Sequence, residues 1–426
     1  MNLLKVAAIA GLLAGLCLPN YTVYAQSNVL SLSDAIRLVF DQNPQLRVYQ
    51  LRREALEGEV RTAELSPATV VNAEAENVAG TGDLNWFQGT EWSLSLSRVI
   101  EMGNKPQARG NVVRRRQAMV DAERQIVELD LLSQTASAYI ELTVAIARQE
   151  VLSRSLDLAT TTLAEIQSRV DAGRTHDSER ARAEAAVSQA ELTLQSAAYT
   201  INAARLRLSA FWGEFSPSEF QSAADLFRLE ALPSVDELLE RLLMSPAISA
   251  FTSESRLREA ELALARAQQY NDFSVGIGVR HLAELNDTAF VAQFSMPLQA
   301  SQRAQGAITA AQANLLRVEA SEQSAIWQMS GQLLALNQQR RSAIARHDVL
   351  QSEVIPLLQA ALDSTLTAYE TGLFDFTEIS TAQRALIEAE LTRIDAAAQA
   401  HQLRIEIERL SGQSFITDAT SDGGVQ

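Results

Sequence analysis

The residues able to do chemistry are few and scattered. Four histidines, His176, His281, His347 and His401, never stand one helical turn apart, and the one cysteine, Cys17, lies in an apolar run near the start. Zinc sites usually need three or four converging ligands. The only local grouping is His176-Asp177-Ser178-Glu179, and a polar turn is its plainer reading. Six dispersed methionines offer no soft-metal relay. No nucleophile–base constellation and no nucleotide-binding pattern appears, so neither an enzyme nor a cofactor is expected. Two acids recur at one place: Glu179 and Glu378 each follow a glycine, Gly173 or Gly372, by six residues, and Asp375 precedes the second. In a first helical turn such carboxylates complement the helix dipole.

That recurrence is one sign of a tandem duplication. "AIARQEVL" at 145–152 returns as "AIARHDVL" at 343–350, and "AELT" at 190–193 returns at 389–392. Ala183, Arg205 and Gly213 match Ala382, Arg404 and Gly412 at the same offset, while Asp34 and Pro44 match Asp236 and Pro246. The halves are expected at 26–215 and 234–413, with a joint at 216–233 and a flexible tail at 414–426. Each half reads as two helices around a proline, a β-hairpin, a very long helix, a glycine turn and a return helix. The hairpins are expected at about 68–99 and 271–297, and the helical turns near 173 and 372.

The return helices carry heptad seams. Ile379, Ala382, Leu386, Ala389, Arg393, Ala396, Ala400, Leu403, Ile407 and Leu410 alternate three and four apart. Arg180, Ala183, Val187, Ala190, Leu194, Ala197, Ile201, Ala204, Leu208 and Phe211 repeat the register. The preceding helices, read as 108–171 and 305–371, would each reach roughly 100 Å at 1.5 Å per residue. Pro356 should bend the second. Gly173 and Gly372 suit helix ends, and Ser178 and Thr377 suit the N-caps that follow.

Four segments alternate instead with period two. Trp92, Leu94 and Leu96 interleave with Ser93, Ser95 and Ser97, and Val71, Ala73 and Ala75 with Asn72, Glu74 and Glu76. Phe273, Val275, Ile277 and Val279 interleave with Ser274, Gly276, Gly278 and Arg280. Phe290, Ala292, Phe294 and Met296 form a fourth series, blurred by Val291. Small hairpins capping a helical bundle would explain the pattern. An outer-membrane barrel explains it better, because its strands need roughly nine to eleven residues with one oily and one wet face. Four strands cannot close, and an open edge in lipid leaves backbone groups unpaired. Two copies would supply about eight strands with an interior filled by side chains, and three about twelve with the wider lumen that a conduit needs.

Composition sets the compartment. The formal charge of −16 argues against nucleic acid, and 6% aromatic content against a large conventional core. Lys5, the apolar run from Val6 to Leu18, and Val23-Tyr24-Ala25 read as a signal peptide over residues 1–25. Leu16 stands where a lipid-anchor signal needs a small residue. The exported part would then hold no cysteine.

In this order and duplication the sequence resembles the TolC family of outer-membrane efflux channels over nearly all of the exported chain. The glycine, the acid six residues on and the alanine-rich helix of "YETGLFDFTEISTAQRALIEAELTRIDAA" carry much of the likeness. "EMGNKPQAR" at 101–109 is similar to the "E-x-G-x-K" passage of the heavy-metal, CzcC-type branch. The resemblance implies a mainly α protein with a small β part. It implies a homotrimer whose twelve-stranded transmembrane β-barrel, four strands per chain, continues as a long periplasmic α-helical barrel with an equatorial collar. It implies an outer-membrane duct of a tripartite, RND-type efflux system, partnered by a periplasmic adaptor and an inner-membrane pump. Heavy-metal cations are the expected cargo; a multidrug or type I protein-secretion duct is the alternative. An exported coiled-coil stalk would explain the heptads but not the strands. Glu179, Glu378 and Asp375 become candidates for acidic rings at the periplasmic aperture, favouring cations by field. Thr381 stands where the family often has a further acid. Gly173 and Gly372 become adaptor-facing tips, and Glu74 and Glu76 lumen residues. Trp86 and Phe87 are candidates for an interfacial anchor.

Overall fold

The computed structural model describes residues 29–79, 89–217 and 219–412. The expected signal peptide with Cys17, the Trp86–Phe87 pair and the expected tail lie outside the described residues.

The elements run β1 (Val29–Leu30), α1 (Leu32–Gln42), α2 (Pro44–Ala63), β2 (Val70–Glu76), β3 (Glu91–Ile100), α3 (Lys105–Asp171) and α4 (Asp177–Ser209). After a short joint with β4 (Gln221–Ser222) come α5 (Val235–Leu243), α6 (Pro246–Ala267), β5 (Phe273–Leu282) and β6 (Asp287–Ser295). Then follow α7 (Ala300–Val349), a π-helical segment (Leu350–Val354), α8 (Ile355–Glu370) and α9 (Phe376–Ser411). Local rules account for the boundaries. Ser31 and Ser234 accept N–H bonds from Asp34 and Glu237 at the starts of α1 and α5. Pro44 and Pro246 occupy first-turn positions, where their missing N–H costs nothing. Pro356 cannot donate to the helical ladder. The chain passes through a π-helical turn just before it, with the backbone right-handed throughout, so the second long helix continues as two lengths joined by that turn.

The four long strands form one antiparallel sheet in the order β2-β3-β5-β6. Cross-strand partners share a face. Val71, Leu96, Ile277 and Ala292 form one row, and Ala73, Leu94, Val279 and Phe290 the next. This apolar face is bare in a single chain: Ile277 is 70% and Phe290 92% exposed. In the middle of the other face Ser93, Ser95, Ser97, Gly276 and Gly278 are less exposed than their apolar neighbours, as in a sheet curved toward its polar side. Both outer strands, β2 and β6, leave an edge unpaired within the chain.

The helical body packs along the expected seams. On α9 Ile379, Leu386, Ala389, Ala396, Ala400, Ile407 and Leu410 are buried, and on α4 Ala183, Ala197, Ile201 and Leu208. Arg393, the polar exception on α9, lies with its guanidinium 4.0 Å from the Phe227 ring centre. Phe227 belongs to the joint, which is pinned across the helices. The His401 Nε2–H donates to the Leu226 carbonyl at 2.9 Å. Arg404 meets the Glu230 carboxylate at 2.5 Å, and Arg340 donates to the Glu230 carbonyl. Beside it β1 pairs in parallel with β4, and the buried Tyr139 hydroxyl donates to the Leu30 carbonyl while accepting from the Ala223 N–H. A waist is thus built from the joint and the segment that precedes α1.

Candidate functional site

Among the described residues no three His, Cys, Asp or Glu side chains converge as a metal site. The charged and turn-forming residues gather at three places: the helical tips, the polar face of the sheet, and the passage between sheet and helix.

At the helical tips, Gly173 and Gly372 take φ of 68° and 79°. In each, the residue after the glycine donates back five residues: Arg174 to the Arg169 carbonyl, and Leu373 to the Ala368 carbonyl. This is the glycine-dependent closure that satisfies a helix's last carbonyls. The N-caps lie earlier than the sequence suggests. α9 is capped by Asp375, whose carboxylate accepts the Thr377 N–H, and α4 begins after His176, which makes no side-chain cap bond. Ser178 and Thr377 are already inside the helices. At α9 the short Asp375 side chain, two residues nearer the turn, reaches the free N–H groups first.

The two repeat-related acids have different surroundings. Glu179 accepts a hydrogen bond from the Tyr369 hydroxyl at 3.1 Å, joining the first tip to the second. Tyr369 is buried with Ile166, Ala183, Phe376 and Ile379. Arg169 stacks over its ring at 4.5 Å and donates to the Tyr369 and Glu370 carbonyls. Burial first, then the Glu179 charge, pushes the Tyr369 hydroxyl up to about 12. Glu378 stays exposed in the first turn of α9. The neighbouring Glu378, then the Thr377 N–H bond, hold Asp375 below its ordinary value, with Arg182 adding to it.

Sequence reading missed Tyr369 and Arg169, yet a signal was present. At the repeat offset their mates are Val170 and Ala368, so both depart from the duplication beside a conserved turn geometry.

At the sheet the polar face resolves into levels. The level farthest from the helices holds Glu76, Glu91, Leu282 and Asp287; the next holds Glu74, Ser93, Arg280 and Ala289. Below come Asn72, Ser95, Gly278 and Val291, then Val70, Ser97, Gly276 and Gln293. Glu74 and Glu76 therefore share the concave face with Arg280.

Between sheet and helices lies "EMGNK". Gly103 and Asn104 adopt φ of 74° and 56°, turning β3 into α3. A side chain at Gly103 would sit 2.4 Å from the Tyr270 ring and 2.9 Å from the Ala267 carbonyl. Lys105 is buried against Asp272 at 2.7 Å and donates to the Tyr270 carbonyl. Arg109 grips Glu101 through two bonds of 2.6 and 2.9 Å and donates to the Ala63 and Leu65 carbonyls. The motif is a knot that ties both repeats together where sheet becomes helix.

A sheet oily on one face and wet on the other, running into helices far longer than any globular core needs, is the architecture of the TolC-like outer-membrane channels. Residues 35–214 match the outer membrane efflux protein family. The chain is 25% identical to the cobalt-zinc-cadmium resistance protein CzcC of Cupriavidus metallidurans, over 90% of both chains. It is 27% identical to the nickel and cobalt resistance protein CnrC of the same organism, over 56% of this chain and 59% of that one. The crystallised channel CusC superposes with a TM-score of 0.75 at 16% identity, covering 91% of this chain and 94% of its own. The protein belongs in the outer membrane and reaches into the periplasm, and the sequence resemblance to that family holds.

Proposed function

We propose that the chain is the outer-membrane subunit of a tripartite efflux system and that three copies form a passive duct for heavy-metal cations. The end-to-end match to a cobalt-zinc-cadmium resistance protein carries the choice of cargo. The charge of the path agrees with it, since acids outnumber bases on the concave face of the sheet.

In this reading Glu179, Glu378 and Asp375 of each copy ring the periplasmic aperture. The tips at Gly173 and Gly372 meet a periplasmic adaptor, and an inner-membrane pump supplies the energy. Tyr369, bonded to Glu179, holds the two tips of one copy together and so narrows the mouth. Glu74 and Glu76 face the lumen near the outer opening. Membrane lipid covers the apolar rows.

A strain lacking this chain should lose tolerance to cobalt, zinc and cadmium salts and regain it on complementation. Unchanged metal tolerance with new sensitivity to organic toxicants would assign the duct to a multidrug system instead.

A further inference from the structure

The sheet places one fixed cation on its concave face. Among the described residues of β2, β3, β5 and β6, Arg98 and Arg280 are the only arginines or lysines, and Arg98 pairs with Val275 on the apolar face. Arg280 forks inward. Its Nη2 meets Glu76 at 3.1 Å, its Nη1 meets Glu91 at 3.0 Å, and its Nε donates to the Ser93 hydroxyl at 2.9 Å. Three strands are bridged by one side chain.

The surroundings make that charge count. The concave-face carboxylates, Glu74, Glu76, Glu91 and Asp287, all lie in the two levels farthest from the helices. The next two levels hold Asn72, Ser95, Gly278 and Val291, then Val70, Ser97, Gly276 and Gln293, all uncharged and several of them small. Four negative charges against one positive leave −3 per copy. A fixed charge confined to a short stretch of a narrow aqueous path governs which ions enter.

We infer that Arg280 is a selectivity-determining residue of this channel, a built-in counter-charge that limits the cation preference of its outer opening. Glu76 and Glu91 are held by its fork, while Glu74 lies outside it. The inference rests on the channel reading above and adds a second charge-sensing station, at the end opposite the helical tips.

The test is the reversal potential of the detergent-extracted, full-length protein in planar bilayers under a potassium chloride gradient. Arg280→Gln changes the charge from −3 to −4 per copy. It should raise the cation-over-anion permeability ratio roughly twofold at low ionic strength, an effect that fades as salt shortens the screening length. Glu74→Gln changes the charge from −3 to −2 and should lower the ratio by a similar factor. Arg280→Lys, which keeps the charge and loses the fork, should match the unmodified channel. An unmodified channel that conducts, with an unshifted ratio in Arg280→Gln, overturns the inference and leaves the duct standing. If Arg280→Gln fails to assemble, an unshifted ratio in Glu74→Gln overturns it equally. If the unmodified protein carries no current, the channel reading itself falls.

Discussion

At the scale of single residues, the contact between Tyr369 and Glu179 has the clearest consequence. It joins the two tips beside the bonds from Arg169 to the Tyr369 and Glu370 carbonyls, and it lies on a buried ring that Arg169 also clasps. Tyr369→Phe removes the hydroxyl and keeps the packing. A hydrogen bond to a charged group contributes about 1.5–3 kcal/mol, so the variant should loosen the mouth and raise single-channel conductance. Equal conductance would detach this pair from the aperture. The pH dependence has a definite sign. The folded pKa is raised from 10.0 to about 12, so the stabilisation is complete below 10 and disappears as pH climbs through 12. Conductance between pH 6 and 9 should therefore not follow this tyrosine (~neutral throughout). The contact was invisible to pattern reading because its partners stand 190 residues apart and no periodicity links them. Only the departure from the repeat, tyrosine against Val170, marked the place.

At the scale of elements, the β3–α3 passage has to change period from two to 3.6 within a few residues, and it does so through left-handed backbone. Arg109→Ala would leave the Glu101 carboxylate, 11% exposed, without its fork, and two backbone carbonyls without their donor. Thermal unfolding should show a loss of about 1–3 kcal/mol. Gly103→Ala meets both a positive φ and the Tyr270 ring, and should cost at least as much, about 1–3 kcal/mol from the backbone alone. Neither substitution should change ion preference. Stability like that of the unmodified protein would show the knot to be dispensable. Strands and seams were legible beforehand because each repeats a simple period over many residues, as Trp92, Leu94 and Leu96 or Ile379, Leu386 and Ala389 do. The knot was legible only as a motif. Its partners Tyr270 and Asp272 come from the other repeat, and the caps at His176 and Asp375 were displaced because a turn's geometry, more than residue type, selects its cap.

At the scale of the whole molecule, the two bare edges and the bare oily face state one requirement between them. Unpaired backbone in hydrocarbon costs several kcal/mol per group, so β6 of one copy must find β2 of another. With Ala73→Cys on β2 and Ala292→Cys on β6, a bismaleimide should give a ladder that ends at three copies. A product that stays single in the outer membrane would refute closure by siblings. One property of the sheet then bears on how the number three is chosen. Its strands alternate in direction and are even in number, so the last runs opposite to the first. A fresh copy can always be added without a mismatch at the join, which makes the membrane portion indifferent to stoichiometry. Counting is left to the helices, whose angular share of the tunnel wall is fixed by seams such as Ile379 to Leu410. Subunit number should thus respond to substitutions far below the bilayer and ignore those within it.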